Sequence, residues 1–417
     1  MQKILKKQGA ISSIMTFLLL GLTFLLVSAQ IKILGVEHYG MLVLLLSVFG
    51  TVNLINMGIG SSLVSYYTKH ESKDIFWNLY LWIFIIFSVL AFIVVILGSL
   101  FYKEIFNVLS LGNHNLNIFA YFGAGIIGIS RLLSTIVGIY WAVTVNFLLL
   151  RIFDFLSFNI SLFSIIILYP IRDNFNEVLF ISSIINLVAI IVTFICVMYF
   201  RSGIENLRPD KKEFKSLFIT SLEFQGISIV SSLARPLLNT LINTKLGLNY
   251  TTYFDIAIRL LTAGRQVIVA ATAPFFSVMT QLNNKNKKRY MYLLIKKYTF
   301  YNMVAAVIFL AGTYIFSYFI LSIWVGKEMA DNTIYLVKII SIGITFNISS
   351  AVIYNSFLSF RSGRLHVFIH QFILVAATVI MMLLNFTDAN ELAMYYSLSL
   401  FIGAIYLFIV FRRLNIR

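Results

Sequence analysis

The chain has 417 residues and a formal net charge of +16, yet 60% of it is hydrophobic and only 12% is charged. A soluble domain carries about 25% charged residues, so this chain lacks the polar side chains to cover its own surface in water, which excludes soluble enzymes, disordered proteins and nucleic-acid binders. Its single cysteine, Cys196, lies in an apolar run and excludes a disulfide framework or a thiolate metal cluster.

A transmembrane helix needs about 20 mostly apolar residues. Stretches of that kind fall at roughly 11–31, 41–65, 75–97, 116–141, 146–169, 178–200, 216–243, 251–280, 298–324, 333–358, 364–386 and 391–411. Runs this long favour helices over a closed barrel as the way to satisfy the backbone in lipid. The first span follows Lys3, Lys6 and Lys7, and Val27-Ser28-Ala29 has the look of a secretory cleavage site. Removing that span would spoil an otherwise consistent charge pattern, so it is expected to stay.

That pattern emerges loop by loop. Basic residues cluster at the N-terminus, at Lys69 and Lys73, at Arg151, through the 201–215 and 281–297 segments, at Arg361 and Arg364, and at the C-terminus. These loops hold 22 lysines and arginines, and the alternate loops hold 5: Lys32, Lys103, Arg172, Lys245 and Lys327. Basic loops stay on the cytoplasmic side, which places both termini in the cytoplasm.

A repeat lies beneath the spans. Lys32-Ile33-Leu34-Gly35 precedes the second span and Lys245-Leu246-Gly247 precedes the eighth; Gly35 and Gly247 lie 212 positions apart, close to half the chain. Six spans per half is an even number, so both halves run in the same direction. The expected architecture is an all-α integral membrane protein with about twelve transmembrane helices in two pseudo-symmetric six-helix bundles around a central cavity. Residues 1–200 form the first bundle, 201–215 a basic cytoplasmic linker and 216–417 the second bundle.

Ionisable groups inside spans are costly, roughly 2.5–3.5 kcal/mol each at mid-bilayer on insertion scales, so they are expected to face protein or water. In chain order they are Arg131, Asp154, Glu223, Arg235, Asp255, Arg259, Arg265 and Lys338. Asp154 stands three residues from Arg151, and Asp255 four from Arg259, both spacings of helix-face pairs. Lys338 is near enough to its span's end to snorkel. Arg131, Arg235 and Arg265 have no such neighbour, and Pro236 directly after Arg235 predicts a kink or break.

Guanidinium binds phosphate oxygens through paired, planar hydrogen bonds, so an anion bearing phosphate is the natural counter-charge. The alternative is that these arginines meet carbonyls or Glu223 across helices and hold the bundle together. Arg265, Arg235, Arg131 and Arg259 are the candidate substrate-binding residues, and Glu223 and Asp255 the candidates for ion coupling.

Other chemistry finds little footing. Gly326-Lys327 lacks the remainder of a phosphate-cradling loop. Gly123-Ala124-Gly125-Ile126-Ile127-Gly128 matches a dinucleotide fingerprint, but inside an apolar span it predicts close helix packing instead. His366 and His370 share a helical face without a carboxylate nearby. No metal, cofactor or catalytic set is expected.

Phe17 to Tyr67, with Lys32-Ile33-Leu34-Gly35, Tyr39-Gly40 and Asn56-Met57-Gly58-Ile59-Gly60, resembles the Wzx-type polysaccharide flippases of the multidrug/oligosaccharidyl-lipid/polysaccharide exporter superfamily. The resemblance implies alternating-access movement of an undecaprenyl-pyrophosphate-linked oligosaccharide (O-antigen, capsule or similar repeat unit, as in lipopolysaccharide biosynthesis) across a bacterial inner membrane. It implies a cationic cavity with Lys32 at its mouth, and the lipid bilayer and other polysaccharide assembly proteins as partners. Arg235 in the seventh span departs from the acidic versions of that family. The rival readings are a multidrug and toxin extrusion-type antiporter, whose cationic cargo needs acidic residues, and a membrane-embedded glycan polymerase, which the short outer loops disfavour.

Overall fold

The computed structural model describes residues 2–52, 73–112, 114–143, 147–172, 174–199, 211–270, 272, 279, 282, 288–384 and 388–413. The Asn56–Gly60 motif, the 201–210 segment, most of the 281–287 segment and the side chains of Asp154 and Glu223 lie outside the described residues. Among the described residues the chain is helical and forms no strand. Its helices are α1 (Gln2–Phe49), α2 (Lys73–Ser99), a short α3 (Tyr102–Val108), α4 (Ile118–Val143), α5 (Phe147–Arg172), α6 (Phe175–Tyr199), α7 (Lys211–Leu246), α8 (Leu248–Ala270), α9 (Lys288–Trp324), α10 (Lys327–Leu358), α11 (Arg361–Leu383) and α12 (Ala389–Arg413).

Helix α1 carries the expected first span and the start of the second, and is interrupted only at Gly35 (φ 76°, ψ 169°). Residues 32–40, expected as a loop, are therefore helical on either side of one glycine. The same device joins α7 to α8, where Gly247 takes φ 93°. Both conformations are ones that L side chains rarely adopt, so a single residue ends one helix and starts the next. The two glycines are the pair that the repeat aligns.

Helix α7 begins at Lys211, inside the segment expected as a linker, and runs unbroken through Pro236. The chain divides into two compact units, 1–232 and 233–417. The division falls where Pro236, having no N–H, cannot donate to the carbonyl four residues back, that of Ser232.

In the first unit α4 is central and packs against α1, α2, α5 and α6. In the second, α10 is central and packs against α8, α9, α11 and α12. Counted as spans these are the fourth and the tenth, and their neighbours correspond one for one. The apolar stretches of α4 and α10 are each 72% buried.

The fingerprint-like glycines explain how neighbours reach α4. A Cβ at Gly123 would lie 2.9 Å from the Leu179 backbone of α6, one at Gly125 2.7 Å from Val95 of α2, and one at Gly128 would strike the Phe49 carbonyl of α1. Three glycines seat three helices, which is the packing use of small residues.

Eight helices among the described residues are long and apolar enough to cross a membrane. Helix α8 is not one of them, because it carries Asp255, Arg259 and Arg265 within its 23 residues.

Candidate anion-binding cluster in the second unit

The reversal at Gly247 folds α8 back along α7, so Arg235 and Asp255 lie on adjoining helices although 20 residues separate them. Arg235 donates from Nη2 to Asp255 Oδ1 at 2.5 Å, and Arg259 donates from Nε to Asp255 Oδ2 at 2.5 Å. One carboxylate thus bridges two guanidiniums, an oxygen to each. Asp255 is the only buried carboxylate among the described side chains. Its side chain is 3% exposed, against 33% for Arg235 and 28% for Arg259.

Six residues past Arg259, Arg265 points to the central helix, where its Nε donates to Asn347 Oδ1 at 2.8 Å. Tyr354 and Tyr396 lie within its electrostatic reach, and so does His370. Tyr396 of α12 is also within reach of Arg235, which ties the ion-paired arginines and Arg265 into one neighbourhood. Around them, Gln371 Nε2 donates to the Tyr354 hydroxyl at 3.2 Å. The His370 ring stands edge-on to Tyr354 with centroids 5.6 Å apart. Counting formal charges among the described side chains, Asp255 offsets one of the two guanidiniums it pairs with, and Arg265 adds a further positive charge nearby.

The remaining candidates sit elsewhere. Arg131, in the first unit, donates from Nη1 to the Leu46 carbonyl at 3.3 Å, a tie between α4 and α1. Lys32 is exposed on α1 just before Gly35. The structure describes the backbone of Glu223 within α7 but not its side chain. Lys338 is half-buried on α10. His366 Nδ1 is 2.9 Å from the Tyr406 hydroxyl, so the two histidines of α11 have different surroundings. No group of three or more metal-ligating side chains occurs among the described residues.

Asn347, Tyr354, Gln371 and Tyr396 went unnoticed in the sequence. They are neutral, and a neutral polar residue in a span announces itself less than a charge. The available signal was the presence of two amides, Asn347 and Gln371, at depths where apolar residues dominate.

No family model and no curated protein matches the sequence. The fold does match solved structures. An inward-facing multidrug resistance MATE family transporter of the MOP superfamily superposes with a TM-score of 0.70 over 97% of each chain at 14% identity. The lipid II flippase MurJ, in an inward closed conformation, superposes with a TM-score of 0.70 at 16% identity, covering 97% of this chain and 87% of its own. A MOP superfamily transporter from Pyrococcus furiosus, described as having a binding pocket of reverse polarity that suggests a different function, gives 0.65 at 13% identity over 98% and 95%. The chain therefore has the all-helical fold of the MOP-superfamily transporters, the superfamily written out in full as multidrug/oligosaccharidyl-lipid/polysaccharide exporters.

Proposed function

We propose that this protein is a flippase that carries an undecaprenyl-pyrophosphate-linked oligosaccharide, such as an O-antigen or capsule repeat unit, from the cytoplasmic to the outer leaflet of a bacterial inner membrane. On this reading both termini are cytoplasmic, transport runs by alternating access, and the chain catalyses no covalent reaction. The observation that carries it is the pair of guanidiniums, Arg235 and Arg259, bridged by one buried carboxylate, with Arg265 in the same neighbourhood through Tyr396. A diphosphate offers such a cluster several oxygens and more than one negative charge, the match that arginine makes best. The flippase MurJ, whose solved structure names lipid II, shares the fold.

A multidrug resistance MATE family transporter shares the fold as well, and the rival reading is an antiporter for cationic drugs. It would have to place its cargo beside Arg235, Arg259 and Arg265 with Asp255 the only buried carboxylate in opposition among the described side chains, and like charges at close range in a low dielectric repel strongly. Reconstitution separates the two. Proteoliposomes should transfer a fluorescent polyprenyl-pyrophosphate saccharide between leaflets and should not accumulate ethidium; the opposite result would overturn the reading.

A further inference from the structure

Asp255 does more in this arrangement than offset charge. It presents each carboxylate oxygen to a different guanidinium, at 2.5 Å in both cases. Two acceptor oxygens on one small anionic centre, shared between two planar donors, is also how a phosphate would engage Arg235 and Arg259. The exposures are ordered accordingly. The carboxylate, 3% exposed, lies beneath arginines whose side chains are 33% and 28% exposed. Of the three side chains, the two arginines are the accessible ones.

Resting on the flippase reading, we propose that Asp255 is an internal competitor for the substrate's phosphate: it holds Arg235 and Arg259 while the site is empty, yields them to the arriving diphosphate, and takes them back as the diphosphate leaves. Two neighbouring guanidiniums with no counter-ion inside a helical bundle would be costly to keep charged and dry. Asp255 relieves that cost in the empty state. A diphosphate carries more charge than one carboxylate and offers more acceptor oxygens, so it can take the arginines over. The return of the arginines to Asp255 then opposes tight retention, and a carrier must let go of what it binds.

Arg265 stands outside this exchange. Its Nε is held by the neutral Asn347, so its charge is not offset by that contact. It gives the incoming anion a first point of attraction, while Arg235 and Arg259 join as they leave Asp255.

Binding of inorganic pyrophosphate to the purified protein tests the idea, with Asp255→Asn beside the wild type. The amide keeps the shape and removes the competing charge, so Asp255→Asn should bind pyrophosphate at least roughly tenfold more tightly. In proteoliposomes the same variant should move the lipid-linked saccharide more slowly, because release now limits the cycle. Wild-type binding with equal or weaker binding by Asp255→Asn would overturn the competitor role and make Asp255 a support for the arginines. Failure of the wild type to bind pyrophosphate would overturn the flippase reading and this inference with it. Should the variant not fold, difference infrared spectra of wild-type protein labelled with carboxyl-13C aspartate decide. Pyrophosphate should shift a carboxylate stretching band as the guanidiniums leave, and an unmoved band in the presence of bound pyrophosphate refutes the exchange.

Discussion

Helices α4 and α10 hold the same place in their bundles, with corresponding neighbours and equal burial, but they use it differently. In the first unit the central helix supplies the arginine: Arg131 reaches out to a backbone carbonyl, that of Leu46 on α1. In the second the direction is reversed. Arg265 comes in from α8, the counterpart of the second half of α1, and meets a side chain of the central helix, Asn347. A backbone carbonyl is present whatever the sequence, so the first arrangement is a fixed tie between helices. A side-chain amide is a choice of residue, and as a neutral partner it brings no counter-charge to that contact. The repeat has kept the scaffold in both units and placed the clustered charge of the described residues in one.

The largest test of that contrast is to remove each arginine in turn. Arg265→Ala should abolish transfer of the lipid-linked saccharide while the protein accumulates normally in the membrane. Loss of a charge-assisted contact of about 1.5–3 kcal/mol corresponds to roughly ten- to a hundredfold in affinity. Arg265→Lys should recover only part of it, since lysine supplies charge without the planar pair of donors. Arg131→Ala should instead lower the amount of folded protein, with transport falling only in proportion. Equal transport defects per folded molecule in Arg131→Ala and Arg265→Ala would erase the distinction between the units.

The second test concerns the scaffold. Gly128→Leu drives a side chain into the Phe49 carbonyl, which belongs to backbone and cannot turn aside. Overpacking of this kind costs about 3 kcal/mol at the upper end of its usual range, and thermal unfolding in detergent should report it. Gly312 on α9 has nothing within 4 Å of where a Cβ would stand. There Gly312→Ala should stabilise by about 0.5–1 kcal/mol, the helical advantage of alanine over glycine. A comparable loss at both glycines would remove the packing role argued for the α4 glycines.

These contrasts also mark what the sequence could disclose. The spans and the paired glycines were legible because lipid imposes length and apolarity, and because a turn of one residue at positive φ leaves little choice but glycine. The i,i+4 pair of Asp255 and Arg259 was legible for a similar reason, since helix geometry alone brings them together. Arg235 was set down as lacking a local partner because Asp255 was already assigned to Arg259. A carboxylate has two oxygens, and the turn at Gly247 lets the second reach α7. Asn347 could not be found that way: it lies 82 residues from Arg265, and only the packing of α8 on α10 joins them. The glycine run in α4 was read correctly as packing, although which helix each glycine admits required the fold.

A smaller change sharpens the role of the amide. Asn347→Asp keeps the shape and converts the neutral partner of Arg265 into an anion. The guanidinium would then have a built-in counter-charge, and an incoming pyrophosphate would have to displace it. Affinity should fall by roughly tenfold, about 1.4 kcal/mol, with folded protein undiminished. Isothermal titration with inorganic pyrophosphate measures it, and unchanged affinity would mean that Arg265 does not meet the anion.

The smallest expected effect is at His370, the histidine on the buried side of the second unit. It is 1% exposed, and neither ring nitrogen has a hydrogen-bond partner among the described residues. Its surroundings are tight: the Tyr354 ring stands edge-on, a Cβ at Gly403 of α12 would lie 3.2 Å from the imidazole, and Arg265 is within electrostatic reach. An unmet buried polar group costs about 1–3 kcal/mol, whereas the aromatic contact contributes about 0.5–1.5 kcal/mol. These oppose each other, so His370→Leu should leave stability unchanged or raise it by about 1 kcal/mol. It should also leave pyrophosphate affinity unaltered within about twofold, a difference of less than half a kcal/mol. Chemical unfolding and titration on the same sample distinguish two ways of being wrong. A clear loss of stability would show that the imidazole is satisfied by bound water, and a loss of affinity without loss of stability would enlist His370 in the anion site, extending the charged neighbourhood of the second unit from α8 and α10 onto α11.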